Sequence, residues 1–280
     1  MSIKKEIDRA VRRIAALDKN TAPKTPSEQD QIIANVEDAF SKMSFNFSNT
    51  TSITLSQNGK KRLVKQYNDL YSAENVLCHC IKQILDRVFK VKYPNRNKIS
   101  RDLFSTLSAT IQMSDFTIIK FDFKDYFNSI SSIYVFEKYL KENLLNRYEK
   151  DLIKSFVNST KYAYAGLCTS NAIAEIIAKY FDEAVHQVFA SNGLIFYERY
   201  IDDGILILNE HMEENEVKSV LESILSCIFH DNSFKCVKCR TKFNSKKFKY
   251  ISRRKILAQK CSFDFLGYEF WFASKPAKHG

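Results

Sequence analysis

Aspartate residues at two points of the sequence follow short apolar segments that are typical of buried strands. Asp202 and Asp203 are adjacent in a predicted four-residue turn, Ile201–Gly204, between two such segments. Asp122 follows the apolar run Thr117–Phe121, 80 residues earlier. Like charges this close repel each other unless a cation lies beside them. If the strands pair, the three carboxylates converge on one cation site.

Carboxylate oxygens are hard ligands, which Mg²⁺ prefers in octahedral geometry together with substrate phosphates. Two such ions about 3.5–4 Å apart hold the attacking and leaving oxygens of a phosphoryl transfer. The pattern therefore predicts two Mg²⁺ ions, with Mn²⁺ as the alternative ion. Aspartate is also common in turns because it bonds its own backbone, so the Asp202–Asp203 turn by itself is equally well explained by structure alone.

The elements that must position these residues mix helices and strands without a regular β-α-β alternation, which indicates the α+β class. Apolar residues at helical spacing predict helices over 3–17, 27–43, 73–90, 131–145, 148–158, 170–190 and 212–229. Apolar runs predict strands over 117–123, 194–200 and 205–208, and Asn58-Gly59 predicts a hairpin turn.

Composition and charge narrow the class of protein. The 280 residues include 43 Lys and Arg against 32 Asp and Glu, a net charge of +11 that favours a polyanionic partner, nucleic acid first. No segment approaches the ~20 apolar residues of a membrane span, and the start does not resemble a signal peptide. Seven cysteines without a disulfide framework fit a reducing compartment, so we expect a cytoplasmic protein with no membrane partner.

A basic segment in the last fifth of the chain is interleaved with aromatic residues, a combination that binds phosphates and stacks bases of single-stranded nucleic acid. An edge strand protected by lysines would show the same pattern. The predicted nucleic-acid-binding residues are Arg240, Lys242, Lys246, Lys247, Arg253 and Arg254. Upstream, Cys236 and Cys239 have the spacing of a zinc site, but two small buried thiols explain them better.

Five motifs in order give the chain a resemblance to reverse transcriptases. Tyr200–Asp203 is similar to the tyrosine–x–aspartate–aspartate motif of the family, and Phe121–Phe127 to its first catalytic motif. Gly166–Ser170 is similar to the glycine–three residues–serine segment, Phe265–Tyr268 to the primer-grip hairpin, and Asn58–Val64 to the fingers turn. The ordered set is specific where any one motif would be weak.

The resemblance implies a right-hand polymerase fold with a palm and fingers and a short or absent thumb. It implies an N-terminal helical extension over 1–50, fingers over 51–116, a palm over 117–272 and a tail over 273–280. Only 13 residues follow Gly267, too few for a helical thumb. A partner protein, a second copy of the chain or a bound RNA is expected in its place.

The resemblance also implies residue roles. Asp122, Asp202 and Asp203 would hold two Mg²⁺ as the catalytic residues, and Phe127 would exclude a ribose 2′-hydroxyl. The incoming deoxynucleoside triphosphate would be bound by Lys60, Lys61, Arg62, Phe127, Gly166 and Ser170. The primer grip would be Phe265, Leu266 and Gly267.

The implied activity is DNA synthesis directed or guided by RNA, with a template or cognate non-coding RNA, dNTPs and a DNA product as partners. Tyr164-Ala165 stands where the family usually has proline–glutamine, and Asn171 where it usually has proline. These departures bring the chain closer to the bacterial phage-defence and abortive-infection types. Two alternatives remain: a retron or group II intron-like enzyme acting on a structured RNA, and an inactive palm that binds RNA or protein.

Overall fold

A computed structural model describes residues 3–19, 22–57 and 60–272 of the chain. Its helices are α1 (Ile3–Leu17), α2 (Pro26–Ser41), α3 (Ala73–Phe89), α4 (Arg96–Thr110), α5 (Tyr126–Ser129), α6 (Ser132–Val135), α7 (Arg147–Thr160), α8 (Cys168–Phe189), α9 (Glu214–Phe229) and α10 (Arg253–Ala258). Its strands are β1 (Thr51–Gln57), β2 (Lys60–Gln66), β3 (Thr117–Asp122), β4 (Leu194–Tyr200), β5 (Asp203–Leu208), β6 (Lys249–Ser252), β7 (Cys261–Phe265) and β8 (Tyr268–Phe272).

This mixture of helices and antiparallel strands confirms the α+β prediction. The predicted hairpin is formed by β1 and β2, which pair antiparallel from Thr51 opposite Gln66, although its predicted turn, Asn58-Gly59, lies outside the described residues. The tail over 273–280 lies outside them too. All seven cysteines are free thiols, and no helix in the described part of the chain is long and apolar enough to cross a membrane.

Three elements differ from the sequence prediction. Helix α4 was not predicted, yet Ile99, Leu103 and Leu107 recur along it at four-residue spacing and are all buried. The helix predicted over 131–145 is a single α-turn followed by a π-helical turn, Phe136–Leu140. The turn between β4 and β5 has two residues instead of four, because Asp203 already pairs with Tyr200.

The chain divides into two compact units that are interleaved along the sequence. The first contains 1–92, 127–177 and 232–239, and the second contains 93–126, 178–231 and 240–280. The sequence-based limits of fingers and palm are stretches of continuous chain, and they stay predictions.

The first unit contains the N-terminal helices and the β1–β2 hairpin. Helix α1 buries its apolar stripe, including Ile7 and Val11, as an amphipathic helix does when it packs on a neighbour. Buried Glu6 of α1 lies 3.6 Å from the guanidinium of Arg87 in α3, which also lies 2.7 Å from Glu149 in α7. One arginine therefore neutralises two carboxylates within this unit.

The second unit is built on a four-stranded antiparallel sheet with the strand order β4-β5-β3-β6. The two faces follow from the period-two alternation of strands. One face has a core that includes Ile118 and Ile205 and packs with α4 and the β7–β8 hairpin. On the other, the Phe121 ring lies 5.2 Å from Phe243 and 6.0 Å from Phe181 of α8. The central strands are therefore fixed on both sides.

Candidate active site

The predicted convergence of Asp122 with the Asp202–Asp203 turn is confirmed by the pairing of β3 with β5. Asp122 is the register partner of Asp203, and the Phe123 amide donates to the Asp202 carbonyl oxygen at 2.9 Å. Side chains directly opposite each other in an antiparallel pair share a face of the sheet, with Cβ atoms ~4.5–5.5 Å apart. The sheet therefore places the Asp122 and Asp203 carboxylates side by side.

The turn that carries Asp202 has an uncommon backbone. Ile201 has φ of 58°, in the left-handed region, which a β-branched residue rarely adopts because its Cβ crowds the backbone. Residues held in such conformations concentrate at functional sites, where the surrounding structure over-determines them. The two-residue turn presents Asp202 at the end of the hairpin, next to the paired carboxylates.

Lys120 is a site residue that the sequence analysis missed. It lies two residues before Asp122 on the same face of β3, and its ammonium is 3.2 Å from Asp203 Oδ1. Its side chain is only 3% exposed. The sequence does contain a sign of this role, because Lys120 interrupts the apolar run of β3. A buried ammonium almost always has a charged partner.

The pKa of the Asp203 carboxyl is subject to opposing effects. Its Oδ1 atom is buried and has no partner with hydrogen-bond geometry, although the Lys120 ammonium is within ion-pair distance. Burial raises the pKa of the Asp203 carboxyl; Lys120 opposes this rise, while the charges of Asp202 and Asp122 add to it. The Asp203 carboxylate therefore lies between one ammonium, that of Lys120, and two like charges.

Asp122 is 2% exposed and is contacted by the turn over 244–247. The Asn244 amide group donates to Asp122 Oδ1 at 3.1 Å, and the Lys247 ammonium donates to Oδ2 at 2.5 Å. The Asn244 backbone N–H also donates to the Asp122 carbonyl oxygen at 2.7 Å. Lys247 was predicted to bind nucleic acid, which stays a prediction; in the structure its ammonium is paired with the Asp122 carboxylate.

The donor chemistry fits a hard divalent cation, but the Asp122 and Asp203 carboxylates are each paired with a lysine. Oxygen ligands of three aspartates lie at one end of the sheet, and Asp203 Oδ1 lacks a hydrogen bond. Across residues 3–19, 22–57 and 60–272, however, no group of three or more His, Cys, Asp or Glu side chains is arranged to hold a metal. The residues fit Mg²⁺ by type and proximity, while Lys120 and Lys247 supply the positive charge in this arrangement.

The predicted glycine–serine segment has a structural explanation within the first unit. Gly166 has φ of 100°, and a Cβ there would lie 2.4 Å from the Lys65 carbonyl oxygen of β2. The Lys65 amide donates to the Ala165 carbonyl oxygen at 2.8 Å, and the Ser170 hydroxyl, 2% exposed as a residue, donates to the Tyr164 carbonyl oxygen. The close approach at Gly166 is to the backbone of β2.

The other predicted nucleotide-binding residues also lie in the first unit. Lys60, Lys61 and Arg62 are in β2, where Lys61 is the register partner of Ser56, and their side chains lie outside the described part of the structure. Phe127 is half-buried in the short helix α5. Their roles stay predictions.

The predicted primer-grip residues form a tight hairpin between β7 and β8 in the second unit. Leu266 and Gly267 both have positive φ, 51° and 81°, as a two-residue hairpin turn requires. Phe265 is buried in the core, and the Arg96 guanidinium of α4 donates to the Leu266 carbonyl oxygen at 2.6 Å. The turn is thus tied to a helix.

The predicted nucleic-acid-binding residues separate into two groups. Arg240, Lys242 and Lys246 are exposed. Arg253 donates to the Ile111 carbonyl oxygen at 2.8 Å beyond the end of α4, and Arg254 lies 4.0 Å from Glu213. Lys247, which is paired with Asp122, and Arg254 are exposed as well, and Arg253 is half-buried, so five of the six predicted residues lie on the exposed surface.

Comparisons with known proteins support the fold. No family model and no curated protein matches the sequence. The chain is similar in structure to telomerase from Candida albicans, solved in complex with a TWJ fragment of telomeric RNA: the TM-score is 0.51 at 14% identity, over 84% of this chain and 47% of that chain. Telomerase from Candida tropicalis, solved with the same kind of fragment, gives 0.48 and 12%, over 81% and 45%.

The chain thus has a reverse-transcriptase-like fold and spans about half the length of the telomerase chain that it matches. The expectation of a reverse-transcriptase-like fold is confirmed at this coarse level, and the palm, the fingers and the short or absent thumb stay predictions. The assignment to a bacterial defence type stays a prediction.

Proposed function

We propose that this chain is a reverse transcriptase that adds deoxynucleotides to a primer under the direction of an RNA. The observation that carries the proposal is the antiparallel register of Asp122 with Asp203 beside the strained Asp202 turn, within a reverse-transcriptase-like fold. Three carboxylates at one end of a sheet repel each other and serve no evident packing purpose. A two-metal phosphoryl transfer would give the three carboxylates a function.

Within this proposal, the sheet of β3–β6 belongs to a palm over 117–272 and the β1–β2 hairpin belongs to fingers over 51–116. The carboxylates of Asp122, Asp202 and Asp203 would hold two Mg²⁺, or Mn²⁺ in its place. When bound, such ions lower the pKa of a primer hydroxyl and neutralise the departing pyrophosphate. The buried Lys120 ammonium would keep part of the carboxylate charge compensated throughout.

The nucleotide would be bound by residues of the predicted fingers. Arg62 offers a guanidinium fork that matches phosphate oxygens, and Lys60 or Lys61 adds a point charge. The Phe127 ring would pack under the deoxyribose and leave no room for a 2′-hydroxyl. Gly166 and Ser170 would contribute by shaping the backbone of their segment, consistent with their contacts to β2 and Tyr164.

The nucleic acid would be bound by the exposed cations Arg240, Lys242 and Lys246 and by the β7–β8 turn. Phosphate contacts from mobile lysines need no fixed geometry, whereas a primer grip needs a rigid turn. The Arg96 contact to Leu266 supplies that rigidity. A partner protein, a second copy of the chain or a bound RNA would take the place of a thumb.

The biological setting we propose is bacterial anti-phage defence, because Tyr164-Ala165 and Asn171 depart from the usual family pattern toward that type. A retron or group II intron-like enzyme acting on a cognate structured RNA is the alternative within the same chemistry. Sequencing the nucleic acid that co-purifies with the protein separates them: a single structured RNA indicates the alternative.

A second candidate function is binding of RNA or protein without catalysis. It is favoured by one observation, the pairing of Asp122 with Lys247 and of Asp203 with Lys120. In this case the lysines would be permanent partners and the carboxylates would not take a metal.

Incorporation of labelled dNTPs distinguishes the two. The assay uses an RNA template with a DNA primer, Mg²⁺ or Mn²⁺, and the wild type beside Asp202→Asn and Asp203→Asn. The polymerase proposal expects incorporation by the wild type and its loss in both variants, since neither amide carries the negative charge that holds the ion. Equal incorporation by all three, or none by the wild type on any template tried, contradicts it.

A further inference from the structure

The turn over 244–247 donates three hydrogen bonds to Asp122. Asn244 contacts both the backbone and Oδ1 of Asp122, and Lys247 contacts Oδ2. The turn itself is closed by the Lys247 amide, which donates to the Asn244 carbonyl oxygen at 2.9 Å. Every oxygen of Asp122 that a cation would use is therefore engaged by one four-residue segment.

The Lys247 ammonium lies where the three carboxylates act together. It is 2.5 Å from Asp122 Oδ2, Asp122 is the register partner of Asp203, and the opposite charges of the carboxylates attract it there. A divalent cation is attracted to the same place for the same reason. The Asp122 Oδ2 atom cannot serve as the close partner of both.

The two lysines of the site differ in their freedom to leave it. Lys120 is 3% exposed and belongs to the middle of the sheet, so it is a fixed part of the fold. Lys247 is 46% exposed and belongs to a surface turn, and its four-carbon stem allows the ammonium to reach water while the backbone stays in place.

We propose that Lys247 is a displaceable counter-ion that closes the site at Asp122, and that a divalent cation binds there only when this ammonium moves away. The inference rests on the proposed function, since it concerns the same three carboxylates. It makes Lys247 a positioning residue, which sets metal affinity without contacting a substrate.

Mn²⁺ binding measured by electron paramagnetic resonance tests this proposal on the whole 280-residue chain. Removal of a competing unit charge in contact with the carboxylate is expected to tighten Mn²⁺ binding by about tenfold or more in Lys247→Met. Lys247→Gln, which keeps a hydrogen-bond donor for the buried carboxylate, is expected to tighten it in the same direction and guards against a folding defect. Lys247→Arg, which keeps the charge, is expected to bind as the wild type does.

Two further variants sharpen the test. Lys260→Met removes an exposed lysine elsewhere in the second unit and is expected to leave the affinity unchanged. Asp122→Asn combined with Lys247→Met is expected to abolish the gain. Melting temperatures of all variants confirm that the folded protein is compared.

The displacement proposal and the two-metal function would fail in different ways. If Mn²⁺ binds equally to the wild type, Lys247→Met and Lys247→Gln, the displacement proposal is overturned and the metal site survives. If none of the three binds Mn²⁺ at millimolar concentration, both the displacement proposal and the two-metal function are overturned, and the lysines are permanent partners.

Discussion

Asp122 and Asp203 lie directly opposite each other on the adjacent strands β3 and β5, although 80 residues separate them in the sequence. Like charges opposite each other in a sheet destabilise it. The second unit tolerates the pair because Lys120 and Lys247 bring two ammonium groups to it. The fold therefore maintains a cluster of negative charge that it must compensate, as a cation-binding site does.

The stability of the protein should depend on pH through Asp203. Burial, opposed by Lys120 and reinforced by Asp202 and Asp122, raises the pKa of this carboxyl in the folded state. The folded state then binds the proton more tightly, so the contribution to stability is present below pH ~4 and is lost as the pH rises through the folded pKa.

Urea unfolding of the wild type and Asp203→Asn from acid to neutral pH measures this effect. The free energy of unfolding of the wild type should fall relative to that of the variant as the pH rises above about 4. Asp264→Asn, at an exposed position in β7, is the control. Parallel pH curves for the wild type and Asp203→Asn would show that the fold does not raise the pKa of the Asp203 carboxyl.

Replacement of Phe127 by alanine should weaken discrimination against ribonucleotides. Without the ring, the sugar pocket gains room for a 2′-hydroxyl, and the preference for dNTPs over rNTPs should fall by about tenfold. Competition between the two nucleotide types in a primer-extension assay measures it, with Phe104→Ala, which removes a half-exposed ring of α4, as the matched control. An unchanged preference rejects the role of Phe127.

Gly166→Ala should destabilise the first unit. The new Cβ would lie 2.4 Å from the Lys65 carbonyl oxygen, at a backbone φ of 100° that only glycine adopts readily. The expected loss is about 2 kcal/mol or more, from backbone strain and overpacking together. Thermal or urea unfolding beside Ala165→Ser measures it, and a loss no larger than that of the control would contradict the close contact.

RNA binding should weaken steeply with salt, because phosphate contacts release counter-ions. Lys242→Ala and Lys246→Ala should each reduce the slope of log K against log salt by about 1. Lys42→Ala, which removes a surface lysine paired with Asp38, should leave the slope unchanged. An affinity that stays flat from low to moderate salt would remove the basis for the exposed basic surface.

Local pattern predicted much of this structure. Apolar periodicity located α1, α3 and the strands that carry the aspartates, and the convergence of Asp122 with the Asp202–Asp203 pair was predicted on the condition that these strands pair, as the resemblance to reverse transcriptases implied. The condition is met because β3 pairs with β5. Sheet geometry restricts the register of such a pair, and this register places Asp122, at the end of β3, opposite Asp203, at the start of β5.

The remainder depends on contacts between distant residues. The sequence indicates only that Lys247 is a surface cation. No local pattern shows that its turn contacts Asp122, 125 positions earlier. Gly166 and Ser170 read as ligand contacts, whereas the structure shows them bonded to or packed on nearby backbone. Two signals were present and missed: the charge of Lys120 inside an apolar strand, and the apolar spacing of α4.

The most direct test of the central claim, that these three aspartates form one cation site, is anomalous diffraction from crystals of the protein soaked in Mn²⁺. The expected result is a peak at the carboxylates of Asp122, Asp202 and Asp203, with the Lys247 ammonium withdrawn from Asp122. Crystals that show no peak there at saturating Mn²⁺, with Lys247 still hydrogen-bonded to Asp122, would contradict it.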